Sequence, residues 1–316
     1  MGIKTPSNKS LQPTSLRSAA ELSRQPNRMS LLHNIARRLR GPNCHLLPEQ
    51  KAWVEDRMLW LLTQFGAGPI RRSPLSPASD LLPRKWDRSE EAGADLFRRL
   101  CTFMLLDPAR LELNFYSCRE THNLESAYAG ESTRSGPVGL FIHPKDRQRL
   151  VIALEDSGFE DPAALTATIC HELGHVHLLA DHRIQPDTPD SEPLTDLLTV
   201  FFGAGIFTAN SVFQFSQWQS HSHQGWRASR LGYLSEELFG YALAAYAWYR
   251  GELAPSWQTH LRSNILYYFD DSLHFLSTTR ETKVPFNAAE PGGAANRSQP
   301  VGPETDPMSP MAGPGG

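Results

Sequence analysis

Five consecutive residues, His171-Glu172-Leu173-Gly174-His175, have the types and spacing for metal chemistry. Residues four apart on a helix share a face, with Cβ atoms about 5–6 Å apart, so both imidazoles can reach one Zn²⁺ at roughly 2.0–2.1 Å. Glu172 projects from the adjoining face, where its carboxylate can take a proton from a water bound to that ion. Leu165, Ile169, Leu173 and Val176 form an apolar stripe on a different arc of the same helix, so one arc packs and the other binds. Gly174 costs about 1 kcal/mol in a helix interior relative to Ala, which predicts another element close against the backbone there.

A catalytic zinc needs a third protein ligand and one open position. The metzincin pattern would require Gly at 178 and His at 181, where the chain has Leu178 and Asp181, so that arrangement is excluded. The next predicted helix opens with Glu192-Pro193-Leu194-Thr195-Asp196, two carboxylates four apart and therefore on one face. Taken alone, the pair could serve only to complement the helix dipole, and Asp196 then rivals Glu192 as a ligand.

With HExxH on one helix and ExxxD on the next, the sequence resembles the gluzincin peptidases, including thermolysin-like enzymes and the compact minigluzincins. The resemblance covers about 165–200 directly and roughly 110–250 as an order of elements. It implies a zinc-dependent metallopeptidase, a hydrolase in which His171, His175 and Glu192 hold Zn²⁺ and Glu172 is the general base on a zinc-bound water. It also implies that Asp196 hydrogen-bonds a ligand histidine and fixes its tautomer. Such enzymes add a Tyr, His or Arg that stabilises the oxyanion; no local motif identifies it, and the candidates are His221, His223, Arg230, Tyr233 and Tyr241. The expected partner is a peptide or protein substrate, added as a strand to the edge of a small sheet. Two alternatives are a catalytically inert, zinc-stabilised binding or regulatory domain and a zinc hydrolase of non-peptide amides.

Other residues near the motif attract plainer readings. His177 points away from the metal arc and reads as a packing or surface residue. His182 returns to that arc if the helix continues, about 10 Å beyond His175 along the axis, within reach of substrate but not of the same ion. Cys170 reads as a small buried hydrophobe.

The elements that must position these residues follow from periodicity and punctuation. Val54, Met58, Leu61, Leu62 and Phe65 predict a helix near 49–65, stopped by Gly66. Ser89 caps a second helix with the stripe Leu96, Phe97, Leu100, Met104. Leu111–Phe115 alternates as a strand, 117–136 reads as a long loop, and 138–143 and 150–155 read as strands, the last covered on both faces. Asp161-Pro162 starts the HExxH helix, which runs to about Leu179. A helix from Pro193 to about Phe213 follows, with Gly203 and Asn210 on the face of Glu192 and Asp196, and then helices near 235–250 and 256–278. The order predicts an α+β fold; with the resemblance, it is a zincin-like one, a small, mostly antiparallel sheet packed on the HExxH helix and a Glu-bearing helix, with extra helices at both ends.

The chain has 316 residues, 31 Lys+Arg against 34 Asp+Glu, and 40% apolar residues, enough for a sizeable core and with no global field for nucleic acid. The ends differ from the middle. Residues 1–48 hold eight basic side chains and one acid, and 285–316 contain seven Pro and six Gly, so the predicted division is a tail at 1–48, one domain at 49–280 and a disordered tail at 281–316. Met29 offers an alternative start, and the basic run Leu31–Leu39 could at most touch a membrane surface. Leu197–Phe213 is uncharged but reads as a buried core helix, so no stable membrane span is expected. Four scattered cysteines without CxxC, and no recognisable secretory signal, point to a cytoplasmic setting. Oligomeric state is not legible.

Overall fold

The computed structural model describes residues 41–83, 85–117, 130–133, 139–144, 149–219 and 234–287. Eight α-helices and one four-stranded sheet are present among them. The first helix, α1 (Pro48–Phe65), has Pro48 in its first turn and Gln50 Oε1 accepting the Leu47 N–H at 2.9 Å. A short turn of helix α2 (Gly68–Arg71) precedes α3 (Glu90–Phe103), whose Ser89 hydroxyl accepts the Ala92 N–H. Packing extends past the 49–280 bounds expected from the sequence, because Leu46 and Val284 are both buried in the main core.

The sheet comprises β1 (Leu111–Tyr116), β2 (Gly130–Thr133), β3 (Gly139–Pro144) and β4 (Leu150–Glu155), in the order β1-β4-β3-β2. β1 runs parallel to β4, with Leu111 opposite Leu150, while the β4–β3 and β3–β2 pairings are antiparallel. β4 is interior, and Leu150 to Leu154 are all buried, Ile152 in the main core and Val151 and Ala153 with Ile142 and Tyr116 in a second cluster. The segment read as a loop at 117–136 therefore contains an edge strand. Gly-Glu-Ser-Thr has no apolar alternation to announce it, and its pairing to β3 comes from the partner strand.

The HExxH helix, α4 (Pro162–His175), starts where the Asp161 carboxylate accepts the N–H groups of Ala163 and Ala164. It passes directly into a π-turn at Val176–Ala180 and packs against α3, β3 and the two helices that follow. Those are α5 (Ser191–Phe201) and α6 (Gly205–Gln219). The single helix expected over 193–213 is thus two. Gly203 has φ +90°, its N–H meets the Val200 carbonyl and the Ala204 N–H meets that of Thr199, a glycine-terminated helix end. A run that is apolar on every side carries no periodicity to reveal such a break.

Helices α7 (Glu236–Tyr249) and α8 (Ser263–Thr279) form the most extensive helix–helix contact and pack α7 against α1, α5 and α6. The helix expected over 256–278 is also divided, into a 3₁₀ turn at Ser256–His260 and α8. Asn210 on α6 bridges that division, donating to the His260 carbonyl and accepting the Arg262 N–H, both at 2.8 Å. Asn210 does not join the face of Glu192 and Asp196 as its spacing had suggested. No described helix is long and apolar enough to cross a membrane.

Candidate metal centre

The α4–α5 crossing brings His171, His175 and Glu192 together, so that one ligand atom from each lies within 4.8 Å of the others. This group could hold a metal ion. Glu192 Oε2 lies 3.1 Å from His171 Nε2 and 3.6 Å from His175 Nε2. Donor atoms around a tetrahedral zinc at 2.0–2.2 Å stand about 3.3–3.5 Å apart, so these separations suit a shared ion. The imidazole rings are 4.9 Å apart and nearly perpendicular, which turns both Nε2 atoms toward Glu192.

Behind these atoms, α5 supplies a second set of contacts. His171 Nδ1–H donates to Asp196 Oδ1 at 2.8 Å, and Asp196 Oδ2 accepts the Leu234 N–H at 2.9 Å. His175 Nδ1 lies 3.4 Å from the Thr195 hydroxyl, which itself donates to the Ser191 carbonyl at 2.7 Å. The His175 Nε2 atom is buried without a hydrogen-bond partner among the described residues. A buried imidazole nitrogen is rarely left so, and a metal ion would satisfy it.

Electrostatics agree with the geometry. Burial by itself lowers the His171 pKa, but hydrogen bonds to Asp196 and Glu192 and the charges of those carboxylates outweigh it, and the ring is pushed up to about 10. Burial would raise Glu192, yet the two histidines hold its carboxyl far below the usual range. Two carboxylates on one buried imidazole favour a positive charge there, which a proton or a metal cation would supply.

Set against protein-family models, curated proteins and solved structures, the chain matches none of them significantly.

Gly174 meets the close approach expected of it. A Cβ there would lie 2.7 Å from Thr195 Cγ2 and 3.7 Å from a Leu198 methyl, both on α5. Glu172 is fully buried, one residue from His171. Phe141 on β3 stacks on the His175 ring with centroids 6.2 Å apart. Farther back, Trp53 Nε1–H and Arg57 on α1 donate to one oxygen of Asp190, at the entrance to α5.

Of the oxyanion candidates, His221, His223, Arg230 and Tyr233 lie outside the described residues. Tyr241 is buried on α7 and donates its hydroxyl to Glu55 at 2.6 Å; burial and that carboxylate push its pKa up. His177 is a packing residue: its Nε2–H donates to the Met104 carbonyl at 2.7 Å, its ring stacks on Phe202, and burial lowers its pKa to about 4. His182 leaves the metal arc, because the helix ends at Ala180 and His182 is exposed with φ +53°. Cys170 is fully buried, and desolvation raises its pKa, as suits a small apolar residue. The sequence reading missed Thr195, Leu234 and Phe141. A hydroxyl one residue before Asp196, opposite a helical glycine, was the available signal for the first; the other two have none.

Proposed function

We propose that this protein is a zinc-dependent hydrolase of peptide bonds with a zincin-like fold of gluzincin type. The observation that carries the proposal is the convergence of His171 Nε2, His175 Nε2 and Glu192 Oε2, with Asp196 on the far side of His171. Two neutral imidazoles and a carboxylate are a donor set suited to Zn²⁺. When bound, Zn²⁺ supplies Lewis acidity toward a carbonyl and lowers the pKa of water toward neutrality. Asp196 orients the His171 imidazole, and Glu172 accepts the proton of the attacking water and delivers it to the leaving amine. Burial of Glu172 keeps bulk solvent from competing for that proton.

The substrate we infer is an extended peptide. β3, whose Phe141 stacks on His175, is followed in the sheet by the edge strand β2, and pairing along that edge would dock the chain beside the site. Neither nucleic acid nor a membrane is part of this reading. A cytoplasmic setting fits the free thiols of Cys44, Cys101 and Cys170.

One observation favours a second reading, a zinc-stabilised binding domain without turnover: Tyr241, the oxyanion candidate among the described residues, spends its hydroxyl on Glu55. The two readings separate on Glu172→Gln. The peptidase reading expects retained zinc and hydrolysis reduced about 10²–10⁴-fold. Hydrolysis at the unmodified rate, or none in the zinc-loaded parent chain on a broad peptide library, overturns it.

A further inference from the structure

Two consecutive residues of α5 reach the two imidazoles of α4 separately, Asp196 at His171 and Thr195 at His175. We propose that Thr195 is a positioning residue for His175, holding it in the Nδ1–H tautomer so that the Nε2 lone pair faces a metal. This rests on reading His171, His175 and Glu192 as a metal centre.

The hydroxyl of Thr195 is fully buried, and its one hydrogen goes to the Ser191 carbonyl at 2.7 Å. The oxygen is then an acceptor, and the group it faces is His175 Nδ1 at 3.4 Å. A neutral imidazole carries one N–H. On Nδ1 that hydrogen meets Thr195 and leaves Nε2 as a lone pair 3.6 Å from Glu192 Oε2. On Nε2 it would leave Nδ1 needing a donor that the Thr195 hydroxyl has already spent. With a metal ion on Nε2 the first tautomer satisfies both ring nitrogens; the second strands Nδ1 and turns a hydrogen toward the ion's position.

The residue opposite is matched to this arrangement. Gly174, adjacent to His175, leaves room for the Thr195 methyl, since a Cβ at 174 would stand 2.7 Å from Cγ2. With that methyl lodged against the α4 backbone and the hydroxyl tied to Ser191, the Thr195 side chain has one setting, and it aims the oxygen at His175. The two ligand histidines thus have unlike supports, a carboxylate for His171 and a neutral hydroxyl for His175. Among the three ligands and these two supports, Glu192 and Asp196 carry negative charge, which a divalent cation balances.

The experiment compares the full-length chain with Thr195→Val and Thr195→Ser. Zinc affinity is measured by competition with a chromogenic chelator, the cobalt-substituted spectrum reports ligand geometry, and denaturant unfolding reports the metal-free fold. The expected result is zinc binding weakened about 10–100-fold in Thr195→Val and restored to within about threefold in Thr195→Ser, with an altered cobalt spectrum in the valine variant alone. Undiminished affinity in Thr195→Val, or a serine variant as weak as the valine one, overturns the proposal. Should the valine variant not fold, Thr195→Ala takes its place, with the same weakening of zinc binding expected and undiminished affinity overturning the assignment. An unsubstituted chain that takes up no zinc instead brings down the metal-centre reading, which keeps the two failures apart.

Discussion

Gly174→Ala sets two physical effects of opposite sign against each other. Intrinsic helix propensity favours Ala over Gly by about 1 kcal/mol in a helix interior. The new Cβ, however, would stand 2.7 Å from Thr195 Cγ2, whereas unstrained carbon contacts sit at about 3.5–4.0 Å. The overlap is close to 1 Å, and it cannot be absorbed cheaply. Thr195 is β-branched, and rotating it would break the 2.7 Å hydrogen bond to Ser191 and remove the hydroxyl from His175. Overpacking of a filled core costs about 1–3 kcal/mol. Steric cost therefore equals or exceeds propensity, and the expected net destabilisation is about 0–2 kcal/mol by denaturant unfolding. The metal readout is more discriminating, because separating α4 from α5 shifts Glu192 relative to both imidazoles; zinc affinity should fall at least about tenfold. Thr195→Ser removes the clashing methyl, so the double variant Gly174→Ala/Thr195→Ser should recover much of both losses, a coupling readable in a double-mutant cycle. A Gly174→Ala protein more stable by about 1 kcal/mol with unchanged zinc affinity, or strictly additive single effects, would refute the close-approach argument.

Removing the carboxylate in Glu192→Ala should abolish tight zinc binding, whereas Asp196→Asn, which keeps the shape but loses the charge facing His171 Nδ1, should weaken it about 10–100-fold; both are read by chelator competition. Arg57→Ala takes two of the three donors from Asp190 and should cost about 1–2 kcal/mol of unfolding free energy. Glu55 gives a pH signature: burial would raise its pKa, but hydrogen bonds from Thr282, Tyr241 and Lys51 and the Lys51 charge lower it below 4.5. The unfolded chain binds that proton more readily, so the contribution to stability is complete above the unfolded pKa and is lost as the pH falls through about 4.5 and below. Tyr241→Phe should destabilise by about 1–2 kcal/mol at neutral pH and flatten this acid-side loss, measured as unfolding free energy against pH. Gly203→Ala places a Cβ at φ +90° and 3.3 Å from Pro74 Cα and Tyr246 Oη, and should lower stability by about 1–3 kcal/mol.

What could be read from the sequence was local. HExxH and ExxxD are spacings within one helix, and a helix converts a four-residue spacing into a shared face whatever surrounds it. Caps are local too: Ser89 and Asp161, the latter followed by Pro162, each accept N–H groups that a helix start leaves unpaired. The covered strand Leu150–Leu154 was legible because no residue in it is polar. Where patterning was uniform or absent, the reading failed. The break at Phe202–Ala204 lies in a run apolar on all sides, and β2 is a polar edge strand that its neighbour recruits.

The site shows the same division. Each candidate ligand could be named from its own helix, but the contacts that hold these residues in place come in pairs far apart in sequence: Gly174 with Thr195, Asp190 with Arg57, Asp196 with Leu234. No spacing rule predicts such pairs, because a helix crossing sets them. Their members do carry a trace, a local preference not used in the usual way. Gly174 sits in a helix interior where Ala would be preferred, and Asp190 stands at a helix entrance without capping it. Each departure has a partner on another element, which is what a sequence under tertiary constraint should show. A residue that forgoes its local preference beside a chemically active motif is therefore the place to look for the contacts that position it.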